Sequence, residues 1–116
     1  MEAIHMANDV MKNRPIKFRI LELLYNGDQL WNYEIAKIIT EEDNQTSKFQ
    51  FNDINFDCIE VTASGFVESV EDAIDEDGSK LGAGRLLTKY KITDLGKTEY
   101  DWLASSIMHY GEKKEA

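Results

Sequence analysis

The sequence predicts a mainly helical α+β domain in which three helices are followed by a two-stranded hairpin and a further helix. Three observations lead there. Apolar residues recur at helical spacing from Ile16 to Tyr25, from Tyr33 to Thr40 and along the stretch ending at Ser64. Two short runs of strand character, Phe66 to Val70 and Leu86 to Ile92, flank a glycine-rich, acidic segment. A lone threonine, Thr93, stands ahead of a last apolar-striped stretch.

Each element has its own warrant. Pro15 fits the first turn of a helix, where its missing N–H would be unpaired in any case. Behind it Ile16, Ile20, Leu23 and Leu24 share one face, and Phe18, Leu21 and Tyr25 a second, so this helix is packed on both sides. Asn26-Gly27-Asp28 breaks it. Leu30-Trp31 is long enough only for a bridging strand. Asn32 can cap a second helix from Tyr33 to Thr40, with Ile35, Ala36, Ile38 and Ile39 turned inward. After the polar turn Glu41 to Gln45, Thr46 or Ser47 can cap a third helix that runs to Ser64. Its Phe51, Ile54, Cys58 and Val61 lie on one face, and Gly65 suits the left-handed residue that ends a helix. Asp75 to Gly84 supplies the hairpin turn, with Asp75, Glu76 and Asp77 as a solvated acidic base. Thr93 can cap the last helix, from Asp94 to about Tyr110, with Leu95, Trp102, Leu103, Ile107 and Tyr110 along a wide apolar side. This order is the winged helix-turn-helix plan: a three-helix core and a two-stranded wing, with an additional C-terminal helix. It divides into an N-terminal extension (1–13), the winged-helix domain (14–92) and a C-terminal dimerisation helix and tail (93–116).

Composition bounds the function. The chain has 116 residues, 42% of them hydrophobic and 30% charged, which suits one folded domain rather than disorder. No stretch reaches the length of a membrane span or resembles a secretory signal. A single cysteine, Cys58, allows no internal disulfide and points to a reducing cytoplasm. The net charge of −9 is unlike that of a typical nucleic-acid binder. Two basic clusters nevertheless stand out: Lys12, Arg14, Lys17 and Arg19, and then Lys80, Arg85, Lys89 and Lys91.

Catalytic and metal chemistry find no footing. Asp75-Glu76-Asp77-Gly78 invites a calcium loop, but Gly78 in its glycine position would put Ala73 and Gly84 where carboxylates are needed. Gly82-Ala83-Gly84 leads into a strand, not into the helix that a dinucleotide would require. His5, His109 and Cys58 have no metal-ligand spacing, and Ser105-Ser106 has no base beside it. The reading is therefore of a protein that is not an enzyme and has no cofactor.

Three motifs carry a family resemblance. Asn32-Tyr33-Glu34-Ile35-Ala36-Lys37 resembles the opening of the second helix in PadR-like regulators, with asparagine in place of a glycine. Tyr90-Lys91-Ile92-Thr93-Asp94-Leu95-Gly96-Lys97 is similar to the wing-strand exit shared by PadR-like and MarR-like proteins, and Ile59 to Val67 to their third-helix exit. The resemblance implies a homodimeric transcription regulator that binds duplex DNA, with the third helix in the major groove and the wing on the backbone. On that reading Lys48, Gln50, Asn52 and Asn55 are candidate contacts on the third helix, and Lys80, Arg85 and Lys89 on the wing. Trp102, Leu103, Ile107 and Tyr110 would form the dimer interface, helped by a spare face of the first helix. The third helix departs from the pattern. Between Thr46 and Ser64 one lysine faces Asp53, Asp57 and Glu60, and Phe49, Phe56 and Ile59 lie opposite the core face. These residues suit the alternative of a protein-interaction module without DNA binding, since carboxylates repel phosphate and aromatic anchors favour protein interfaces.

Overall fold

The computed structural model describes residues 15–42 and 48–115, with side chains for 15–42 and 51–106. Its elements are α1 (Ile16–Leu24), β1 (Leu30–Trp31), α2 (Asn32–Glu42), α3 (Lys48–Ala63), β2 (Val67–Ile74), β3 (Leu86–Ile92) and α4 (Asp94–Glu115). The strands form one antiparallel sheet in the order β1-β3-β2. Among the described residues, four helices with a small sheet in this order are consistent with a winged-helix domain. The N-terminal extension and the caps expected at Thr46 or Ser47 lie outside the described residues.

The core forms where α1, α2 and α3 meet the sheet. Ile20 and Leu24 of α1, Ile35 and Ile39 of α2, and Ile54, Cys58 and Val61 of α3 are buried together with Val67, Tyr90 and Ile92 of the strands. Desolvation pushes the Cys58 thiol up to about 12, so it is an inert core group rather than a nucleophile. The other side of α1 is closed by this chain's own α4. Phe18 stacks on Tyr100 with centroids 4.9 Å apart, and Tyr25 packs against the same ring. The Tyr100 hydroxyl donates to Glu22, and the Tyr25 hydroxyl to Asp101. The α1 face expected to be spare for a second copy is thus occupied from within. The stripe expected on α4 is also displaced: Leu95 and Trp102 are exposed, Leu103 is half-buried, and Gly96 and Tyr100 make the packed side.

α3 ends as its sequence predicts. Gly65 is left-handed (φ 83°), its N–H donates to the Thr62 carbonyl, and the Phe66 N–H donates to the Val61 carbonyl. This pair of bonds satisfies the last carbonyls of the helix and turns the chain back into β2. β2 is longer than expected, reaching Ile74 instead of Val70. Its pairing shifts between Ser69 and Glu71, so Val70 bulges out of the ladder, and the simple alternation read at 66–70 does not continue.

The start of α4 fixes how that helix leaves the sheet. The Thr93 hydroxyl accepts from the Gly96 N–H, as a helix cap should, and Thr93 also bonds the carbonyls of Gly65 and Phe66. Gly96 is needed for a different reason. A methyl group there would lie 2.0 Å from the Phe66 carbonyl oxygen and 2.8 Å from Ile92 Cγ1. Glycine to alanine inside a helix ordinarily stabilises by about 1 kcal/mol. Gly96→Ala should instead destabilise the fold, by about 1–3 kcal/mol as for other overpacked sites. Urea denaturation checks the sign, and a more stable variant would refute the close approach.

Candidate functional site

The surface that a winged helix presents is built here on two buried polar groups. The first is Asn32, only 3% exposed. The sequence suggests that it caps α2, but α2 already includes it; the preceding N–H, that of Trp31, is taken by the Glu34 carboxylate. Asn32 Oδ1 accepts from the Tyr33 and Thr88 N–H groups, and its amide nitrogen donates to Asn55 Oδ1 and to the Leu86 carbonyl. One side chain therefore joins the start of α2, the middle of α3 and the wing strand β3. It ties the third helix to the wing strand.

The second is Asp75, expected to be solvated and in fact 2% exposed. Its Oδ2 accepts the N–H groups of Lys80, Leu81 and Gly82, which fold the wing loop around it. Those three donors hold its carboxyl down at about 2, the Gly82 N–H contributing most. The Asp75 backbone closes the loop as well, accepting from Gly84 and donating to the Arg85 carbonyl.

Lys80 is placed by this loop, and Lys89 by the pairing of β3 with Trp31 of β1. Lys80 lies over the Tyr33 ring, 5.6 Å from its centroid, and Lys89 over the Trp31 ring at 5.9 Å. The two rings stack on each other at 6.2 Å. Arg85 is exposed, and Lys91 pairs with Glu68 across the hairpin. Lys80 also lines a groove of about 610 Å³ with Leu30, Tyr33, Lys37, Ile38 and Phe51. Sequence reasoning misses Trp31 and Tyr33 as parts of this surface. Their only signal in the sequence is their place on either side of Asn32.

On α3 the outer face carries Asn52, Asp53, Phe56, Ile59 and Ala63, all exposed, with Phe56 at 59% and Ile59 at 53%. Of the two asparagines on α3, Asn52 is exposed, whereas Asn55 is half-buried with its amide oxygen held by Asn32. The side chains of Lys48, Phe49 and Gln50 lie outside the described residues, as do those of Ile107 and Tyr110. The described part of the N-terminal basic cluster is already matched by acids. Lys17 pairs with Glu60 at 2.5 Å, and Arg19 with Glu22 and Glu42. Among the described residues no group of His, Cys, Asp or Glu is placed to hold a metal, and no helix is long and apolar enough to cross a membrane.

Comparison with known proteins is consistent with this architecture. No family profile matches the chain, and no curated protein matches it. Among solved structures it resembles the crystal structure of a proposed transcriptional regulator from Thermoplasma acidophilum. The two are 25% identical, with a TM-score of 0.62 over 86% of each chain.

The wing loop makes a prediction of its own. Because the folded Asp75 carboxyl lies below its ordinary value of 3.8, the bonds it accepts stabilise the loop at any pH above that value. They should be lost as pH falls from there through about 2. The amide resonances of Lys80, Leu81 and Gly82 should titrate together near the lower limit, and in Asp75→Asn that transition should vanish. A midpoint at the ordinary aspartate value would disprove the cradle.

Proposed function

We propose that the chain is a winged-helix transcription regulator that binds duplex DNA as a homodimer. The observation that carries this reading is the likeness, over 86% of both chains, to a protein named as a proposed transcriptional regulator. In this reading the start of α3 enters the major groove with Lys48, Gln50 and Asn52 as its polar contacts. Asn52 is the base reader, since a side-chain amide can bond both N6 and N7 of adenine. Asn55 supports the helix from behind. Lys80, Arg85 and Lys89 meet phosphate along the wing, with Tyr33 and Trp31 holding the two lysines in place. Dimerisation falls to α4, where Trp102 is 64% exposed beside half-buried Leu103, with Ile107 and Tyr110 one and two turns on.

A second reading is favoured by one feature, the exposed Phe56 and Ile59 on α3 beside Asp53. Apolar groups there gain nothing from phosphate, and the acid opposes it. In this reading the same face grips a protein, and the wing charges serve only to keep the domain in solution.

A salt titration against non-specific duplex separates the two. Binding should weaken linearly on a log–log plot. Neutralising Lys80, Arg85 and Lys89 together should flatten the slope by roughly 0.9 for each phosphate that a wing no longer neutralises. An unchanged slope removes the wing from the interface, and no binding at low salt leaves only the second reading. Sedimentation at micromolar concentration should show a dimer that Trp102→Ala weakens. A monomer throughout would remove α4 from any assembly.

A further inference from the structure

The groove of about 610 Å³ that Lys80 helps to line runs between α2, the wing loop and the start of α3. Its apolar side chains, Leu30, Tyr33, Ile38 and Phe51, are all half-buried, so they neither belong to the core nor stand out as a patch. Small-molecule sites are typically concavities of about 300–1,000 Å³ with mostly apolar walls and a few polar groups. One wall is firmly held, because the loop that carries Lys80 is bonded through three N–H groups to the buried Asp75 carboxylate.

The charge of the groove runs against that of the chain. In a protein of net charge −9, its lining brings together two lysines and one carboxylate. That carboxylate, Glu34, already accepts the Trp31 N–H at 2.9 Å. Lys37 is exposed and, among the described residues, has no carboxylate partner; Lys80 meets the Tyr33 ring and no acid. Two ammonium groups beside an apolar trough suit an occupant that is apolar with an acidic end. Tyr33 is already stacked on Trp31 and covered by Lys80, which leaves Leu30, Ile38 and Phe51 as the free apolar wall. Among the described residues no pair of parallel rings brackets the groove, so it suits a flexible chain rather than a flat ring.

We infer that this groove binds an aliphatic carboxylate, with its chain on Leu30, Ile38 and Phe51 and its carboxylate at the Lys37 and Lys80 ammonium groups. Binding requires no duplex. Lys80 is also a proposed phosphate contact, so an occupied groove withdraws one wing cation from DNA. That consequence alone rests on the DNA reading.

The test uses the full chain without DNA. Octanoate is the probe and 1-octanol its neutral counterpart, each titrated while the amide resonances are followed. Octanoate should shift Leu30, Tyr33, Lys37, Ile38, Phe51 and Lys80 together along one saturating curve. It should bind about tenfold more tightly than 1-octanol, as a modest charge-assisted hydrogen bond would give. In Lys37→Gln/Lys80→Gln that advantage should vanish while 1-octanol binds as before, and Lys37→Arg/Lys80→Arg should keep it. An advantage below about threefold in the unaltered protein means that the lysines take no part, and overturns the inference. So does failure to saturate, and so do shifts centred on Phe56 and Ile59 or on Trp102, where exposed apolar surface takes up any apolar probe. If the glutamine variant keeps the preference for octanoate, the acid sits elsewhere and the groove is refuted. Each result is read without duplex, so a failure of the DNA reading leaves the test standing.

Discussion

The carbonyl oxygen of Phe66 sits where the end of α3, the start of β2 and the start of α4 converge. It accepts from the Thr93 N–H and the Thr93 hydroxyl, while the missing side chain of Gly96 lets the first turn of α4 rest on it. Much else follows from that seat. The turn at Gly65 delivers the oxygen there, the pairing of Val67 with Ile92 starts the hairpin beside it, and α4 leaves in the direction that brings Tyr100 onto Phe18. A side chain at Gly96 would push α4 off this oxygen and strain both the Thr93 bonds and the aromatic stack on α1. The two sequence motifs at 59–67 and 90–97 are therefore halves of a single joint.

Among the described residues, several cations are engaged within the chain. Lys17, Arg19 and Lys91 each face a carboxylate, and Lys80 and Lys89 rest on aromatic rings. The exposed pairs Lys17–Glu60 and Lys91–Glu68 contribute little to stability, typically under about 1 kcal/mol each, while Arg19 is more sheltered. Their effect is on the surface field: Lys17, Arg19 and Lys91, which look like parts of basic clusters along the sequence, are locally neutralised in space. Among the described residues Lys80, Arg85 and Lys89 of the wing have no carboxylate partner, and the geometry of the wing depends on two polar groups that solvent barely touches, Asn32 and Asp75. Such groups are tolerated inside only when their bonding capacity is met, and here backbone N–H groups supply most of it.

Periodic features are legible in the sequence, and singular ones are not. The inward face of α3 can be read because Phe51, Ile54, Cys58 and Val61 repeat with the helix, and the limits of β3 can be read because its residues are uniformly strand-prone. β2 reads as shorter than it is because the bulge at Val70 resets the alternation and the acids Glu71 and Asp72 look like loop. The burial of Asp75 depends on N–H groups five to seven residues away, which no local pattern announces. Tyr100 escapes notice because the packed side of α4 is chosen by Gly96, a residue without hydrophobicity to signal it. Within the candidate site, Asn55 groups with Asn52 on composition alone. Only the long-range bond to Asn32 distinguishes a helix brace from an open amide.

The bulge at Val70 bears on how copies of this chain meet in a crowded solution. β2 is one border of the sheet, and an open border of eight residues is a template on which another strand could add. The irregularity at Val70 breaks the regular run of donors and acceptors there and bends the strand. Glu68, Glu71 and Asp72 line the same border, so a second β2 laid alongside would set carboxylates against carboxylates. The opposite border, β1, offers only two residues. Among the described residues the sheet has three strands, and the acidity that makes the protein an unusual candidate for DNA also opposes the addition of a like strand along β2.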